Sequence, residues 1–184
     1  MQKTPLIALF LFAACSDDPV NYSEPVGIEL KVKSGEVSAL NALSPEKSIT
    51  TESGNPYGAF VTEAENRLGH DPSNIVLDKV TVTLGAQSTN VAALEQVMTG
   101  EVFVKFLIND TNNTYNAGRW TSPTGQGPVE GEASFDMAMV ADGDVEKVLG
   151  GGFKVVLNAP AATDFATKGA EAVLQLTFTF TAFE

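Results

Sequence analysis

The chain has 184 residues, 43% apolar and 18% charged, with 23 acidic side chains against 11 basic ones. That length and apolar content suit one domain with a sizeable core and exclude wholesale disorder. The net charge of −12 opposes binding to nucleic acid, which needs clustered Lys and Arg, and opposes adhesion to anionic lipid head groups.

The first segment reads MQKTPLIALFLFAA, residues 1–14. Lys3 supplies a positive start, and an apolar run from Pro5 to Ala14 follows. This run is about half of the roughly 20 residues that a membrane-spanning helix needs, so the layout predicts a cleaved export signal rather than a permanent span. The only cysteine of the chain, Cys15, comes directly after it. A lone cysteine excludes an intrachain disulfide and any C-x-x-C redox or zinc site. The run Phe12-Ala13-Ala14-Cys15 resembles the lipobox of bacterial lipoproteins, with Phe12 where that family prefers Leu. The resemblance covers the leader alone. It implies cleavage before Cys15 and lipid attachment to the Cys15 sulfur and the new amino group. With Ser16 next, it also implies residence in the cell envelope, at the outer membrane. Several acyl chains, at about 0.8 kcal/mol per buried CH₂, hold a protein stably on a bilayer. Residues 15–27 then read as the lipidated N-terminus and a flexible tether, because residues 16–27 carry two prolines and three acids.

From residue 28 onward, apolar and polar residues alternate as in half-buried strands. Ile28, Leu30 and Val32 form one such set, and Val80, Val82 and Leu84 a second. Then come Val102, Val104, Phe106 and Ile108; Phe135, Met137 and Met139; Phe153, Val155 and Leu157; and finally Leu174, Leu176, Phe178 and Phe180. Turn residues separate the runs. The pattern predicts a mainly β protein, with one antiparallel β-sandwich (immunoglobulin-like or jelly-roll-like) over residues 28–184. Two or three short helices interrupt the strands. Residues 58–69 end at Gly69, Asn90 can cap residues 91–98, and Asp142 or Asp144 can start a helix before Gly150.

An internal repeat links two of these regions. LEQVMTGEVFVKF, residues 94–106, parallels VEKVLGGGFKVVL, residues 145–157, and Gly100 matches Gly151. Two copies are too few for a solenoid and fit two equivalent crossovers between the sheets. In each, a helical turn would plug the core and glycine would let the chain reverse.

Candidate chemistry is sparse. His70, the only histidine, sits in a Gly- and Pro-rich loop and reads as a turn residue. No G-x-S-x-G elbow is present to pair with it. Asp142 and Asp144 alternate in ADGDVE, a spacing that suits oxygen ligands of Ca²⁺, with Asn109 and Asp110 as further ligands. The competing reading of these acids is a helix start, where negative charge is favoured. Tyr115, Arg119 and Trp120 lie in the long 109–131 region, where an aromatic beside polar groups could stack on a sugar or peptide. A core position for Trp120 is the alternative.

The first expectation is therefore a non-enzymatic envelope lipoprotein: a lipid anchor in the membrane and a β-sandwich that binds a protein or glycan partner or serves structurally. A Ca²⁺-dependent carbohydrate- or peptide-binding module is the second. A hydrolase with paired carboxylates, drawn from distant strands, is the third.

Overall fold

The structure, a computed structural model, describes residues 20–50 and 54–184. The predicted signal segment and Cys15 lie outside the described residues. The fold is mainly β and sandwich-like, as the alternation predicts. Nine strands are formed among the described residues: β1 (Asn21–Lys33), β2 (Ala42–Leu43), β3 (Glu46–Ser48), β4 (Asn74–Leu84), β5 (Glu101–Ile108), β6 (Thr114–Thr121), β7 (Val129–Ala133), β8 (Phe153–Pro160) and β9 (Glu171–Phe183). Two α-helices accompany them, α1 (Pro56–Leu68) and α2 (Asp142–Leu149).

All pairings are antiparallel, in the order β1-β9-β4-β7-β6-β5-β8-β2, with β3 also on β8. Strand β7 joins the two halves. Its residues Val129–Gly131 pair with β4, and Glu132 and Ala133 pair with β6. The sheet curls so that β5 and β9, four places apart in the order, face each other. The Phe106 ring lies 5.8 Å from Phe178 and 6.2 Å from Phe180, and also touches Phe135 and Phe153. The apolar set of each strand points into this space. Val102, Val104, Phe106 and Ile108 of β5 and Leu174, Leu176, Phe178 and Phe180 of β9 are all buried.

The sandwich has two ends. At the helical end β1 begins and β9 finishes, and α1 and α2 close the core. Tyr57 of α1 meets Phe153 and Phe180 edge-on, and its hydroxyl donates to the Val148 carbonyl of α2 at 3.1 Å. Complete burial pushes that phenol above its ordinary pKa range. Helix α1 starts two residues before the expected 58, because Asn55 accepts from the Tyr57 amide and Pro56 occupies the first turn. At the opposite, turn end, two single 3-10 turns, Leu94–Gln96 and Phe165–Thr167, bury Leu94 and Phe165.

Four expectations are corrected. Residues 21–27 belong to β1, not to a tether, and pair with Thr177–Phe183. Val26 is buried there, and Pro25 is tolerated because β1 is an edge strand, where a missing N–H need cost no ladder bond. The helix predicted for 91–98 shrinks to one 3-10 turn. Asn90, with φ 60°, does not cap it, and its side chain donates to the Gly169 carbonyl instead. The strand predicted through Phe135, Met137 and Met139 is a 3-10 turn at Met137–Met139, because Asp136 caps the Ala138 amide at 2.9 Å. Finally, the 109–131 region is not one long loop. It holds all of β6 and the start of β7.

The repeat holds with a twist. Strands β5 and β8 pair antiparallel, with Phe106 opposite Val155 and Val104 opposite Leu157. The two preceding turns therefore plug opposite ends of the core. Gly100 and Gly151 both reverse the chain with positive φ, 64° and 67°.

Candidate functional site

The densest polar cluster among the described residues forms where the β5–β6 hairpin loop meets the start of α2. Asp110 and Asn112 have φ of 70° and 58°, a conformation that Asp and Asn tolerate better than other side chains. This closes the loop tightly, with the Ile108 amide on the Asn113 carbonyl at 2.9 Å. It also aims three donors inward. Thr111 Oγ1 donates to Asp144 Oδ1 at 2.9 Å, while Asn113 Nδ2 and the Tyr115 hydroxyl donate to Oδ2 at 2.8 and 2.7 Å. Asp144, the third residue of α2, is 1% exposed. The Tyr115 oxygen in turn accepts from the Ala141 amide at 3.1 Å, just before the helix.

The electrostatics follow from these contacts. Hydrogen bonds from Tyr115 and Asn113 hold the Asp144 carboxyl below its usual range, against the opposing effect of burial, with smaller help from Thr111 and Lys147. Its place in the first turn adds the favourable end of the helix dipole. Tyr115 is shifted up, chiefly by burial and then by its bond to Asp144, with the Ala141 amide opposing. Lys147 closes the cluster from outside through an ion pair with Asp110 at 2.7 Å.

Chemically, this arrangement is a clamp. An ionised carboxylate with three side-chain donors already in place has no proton to give at neutral pH and is a weak base. Beside it runs an open groove lined by Asn112, Asn113, Tyr115, Met139 and Ala141, where Met139 is 79% exposed.

The structure redistributes the predicted site residues. Tyr115 and Asp144, assigned by sequence to two different sites, meet in one. Asp142 and Asp144, expected together, face different surroundings: Asp142 is exposed and Asp144 is buried under the hairpin loop. Of the further oxygen ligands expected, Asp110 is committed to Lys147. Among the described residues, no three His, Cys, Asp or Glu side chains are grouped so as to hold a metal ion. Tyr115, Arg119 and Trp120 do not share one exposed face. Arg119 is exposed on β6 and pairs with Glu132. Trp120, the next residue, points inward and is 4% exposed, and its Nε1 donates to the Val129 carbonyl at 3.0 Å. It is therefore a core residue, and its ring is not open to a ligand. A bulge leaves Ala117 unpaired between Asn116 and Gly118, which turns both Tyr115 and Trp120 inward despite their odd spacing. His70 is exposed after α1, with Nδ1 2.7 Å from the Asp71 carbonyl oxygen.

Sequence reasoning missed Thr111 and Asn113 as partners of Asp144. The signal was present in the Asx-rich NDTNN loop, but nothing in it shows which acid the loop folds over.

No protein-family model matches the chain, and no curated protein matches it in sequence. Function is therefore argued from its own residues.

Proposed function

We propose that this protein is a lipid-anchored lipoprotein of the bacterial cell envelope, held at the outer membrane, whose β-sandwich acts as a binding or structural module rather than a catalyst. The observation that carries the reading is the order of the first fifteen residues. A positive start, an apolar run, two alanines and the only thiol of the chain follow one another without a break. The start of β1 at Asn21 supports it, because acylation at Cys15 would leave every described strand intact. The net charge of −12 suits a module that is held by a lipid rather than by attraction to head groups. The polar clamp at Asp144 supports a structural reading of the most suggestive acid.

The test is Cys15→Ser in the full-length chain expressed with its own leader. Metabolic labelling with a fatty acid should be lost, and the protein should move from the membrane fraction to the soluble fraction. Unchanged labelling or unchanged membrane retention would overturn the reading.

A further inference from the structure

We infer that the helical end of the sandwich is the end held at the bilayer and that the turn end, with its 3-10 plugs, is the end farther from it. The inference rests on the lipoprotein reading above and adds an orientation to it.

Two lengths decide which end is held. Val20 is the first described residue, and its carbonyl accepts from the Glu184 amide at 3.2 Å, so the start of β1 is fastened at the helical end. Four residues lie between Val20 and Cys15, which makes five Cα-to-Cα steps. Whatever their conformation, they reach at most about 18 Å. Strand β1 runs 13 residues from that end to the other, about 40 Å at the usual rise. The tether is thus shorter than the domain. The helical end is therefore held close to the lipid, and an inverted domain, with its turn end on the lipid and its helical end about 40 Å away, is out of reach.

The chain path makes the two faces definite. The helical end carries the loop after α1, with His70 and Asp71, the start of α2, and the groove beside Met139. The loop from 71 to 73 is tied there, because the Ser73 amide donates to the Phe183 carbonyl at 3.0 Å. The turn end carries residues 85–93, 122–128 and 162–169. These are stitched by bonds from the Leu94 amide to Gly125 at 2.7 Å, from the Thr89 amide to Glu171 at 2.8 Å and from the Ala162 amide to Val97 at 2.9 Å. This end lies at the other end of β1 from the anchor.

The experiment uses the full-length lipidated protein in vesicles of phosphatidylethanolamine and phosphatidylglycerol that carry a head-group nitroxide lipid. A thiol-reactive fluorophore is placed at His70→Cys in one variant and at Gln87→Cys in another, both exposed positions at opposite ends. Strong quenching at position 70 with none above background at 87 is expected. A second exposed pair, Asp142→Cys and Ala166→Cys, repeats the measurement should either of the first variants fold poorly. Inserting a long Gly/Ser segment after Asp18 should then relieve the quenching at position 70. If the protein is held by the vesicles but both ends are quenched alike, or the far end more, the orientation is wrong and the anchor stands. If the protein is not held at all, the anchor and the orientation fall together.

Discussion

At the helical end, eight residues of α2 and thirteen of α1 cover the core, and a buried carboxylate ties α2 to a hairpin loop. At the turn end, two 3-10 turns of three residues do the same work with backbone bonds to neighbouring loops. The contrast is instructive because the two ends carry the two copies of the internal repeat. Leu94, Val97 and Gly100 correspond to Val145, Val148 and Gly151. Similar sequence reaches different local structure because the partners differ. Near Asp144, the hairpin supplies donors for the first-turn acid, and α2 continues to Leu149. Near Leu94, the carbonyl of Gly125 takes the Leu94 amide, and the Glu95 carboxylate takes the Gly125 amide at 2.7 Å. Three positions after Glu95, Met98 bridges to Ala161, which draws the chain out of helix. A helical tendency is weak, and one or two tertiary bonds at the right residue decide the outcome.

Substitutions test how differently the two ends are held. Phe106→Ala should have the largest effect, because its ring touches four other phenylalanines. A loss of about 3–5 kcal/mol is expected, read as a shift in the urea unfolding midpoint. A smaller loss than any end-specific variant gives would mean that the ends, not the centre, carry the fold.

Asp144→Ala comes next. It leaves the Thr111, Asn113 and Tyr115 donors unmet and should lower the thermal midpoint by about 5–10 °C. Glu95→Ala, the counterpart at the turn end, removes one exposed bond and should cost about 2 °C. Equal effects would erase the distinction drawn here. Acid provides a second reading of the same clamp. The folded Asp144 has a lowered pKa, so its contribution is complete above the ordinary carboxylate range and is lost as pH falls through and below it. Below about pH 4, wild type should therefore lose stability more steeply than Asp144→Asn, whose amide does not titrate.

Gly100→Ala and Gly151→Ala should each cost about 1–2 kcal/mol, since both place an L side chain at positive φ. Matching losses would support the equivalence of the two repeat copies, whereas a loss at one site alone would argue against it. The smallest change is Glu63→Gln, which breaks the exposed 2.9 Å pair with Arg67 on α1. At about 0.3–0.5 kcal/mol, it marks the level below which differences between the ends carry no meaning.

Much of this molecule was already legible in the chain. Alternation in β1, β4, β5, β8 and β9 names the buried face of each strand, because a strand packed on one side repeats every two residues. Helices α1 and α2 are marked by Gly69 and by the acids of ADGDVE, whose effects are local. Tertiary structure alone decided the rest. Strand β6 has no clear alternation because the bulge at Ala117 shifts its phase, so Trp120 reads equally well as exposed or buried until the strand is paired. Residues 21–27 look like a tether because their prolines and acids suit solvent, yet β9 offers a partner along their whole length. Asp144 and Asp142 are indistinguishable in sequence. They differ because the donors that surround Asp144 come from a loop some thirty residues earlier, and no local pattern records which carboxylate a distant loop will close over.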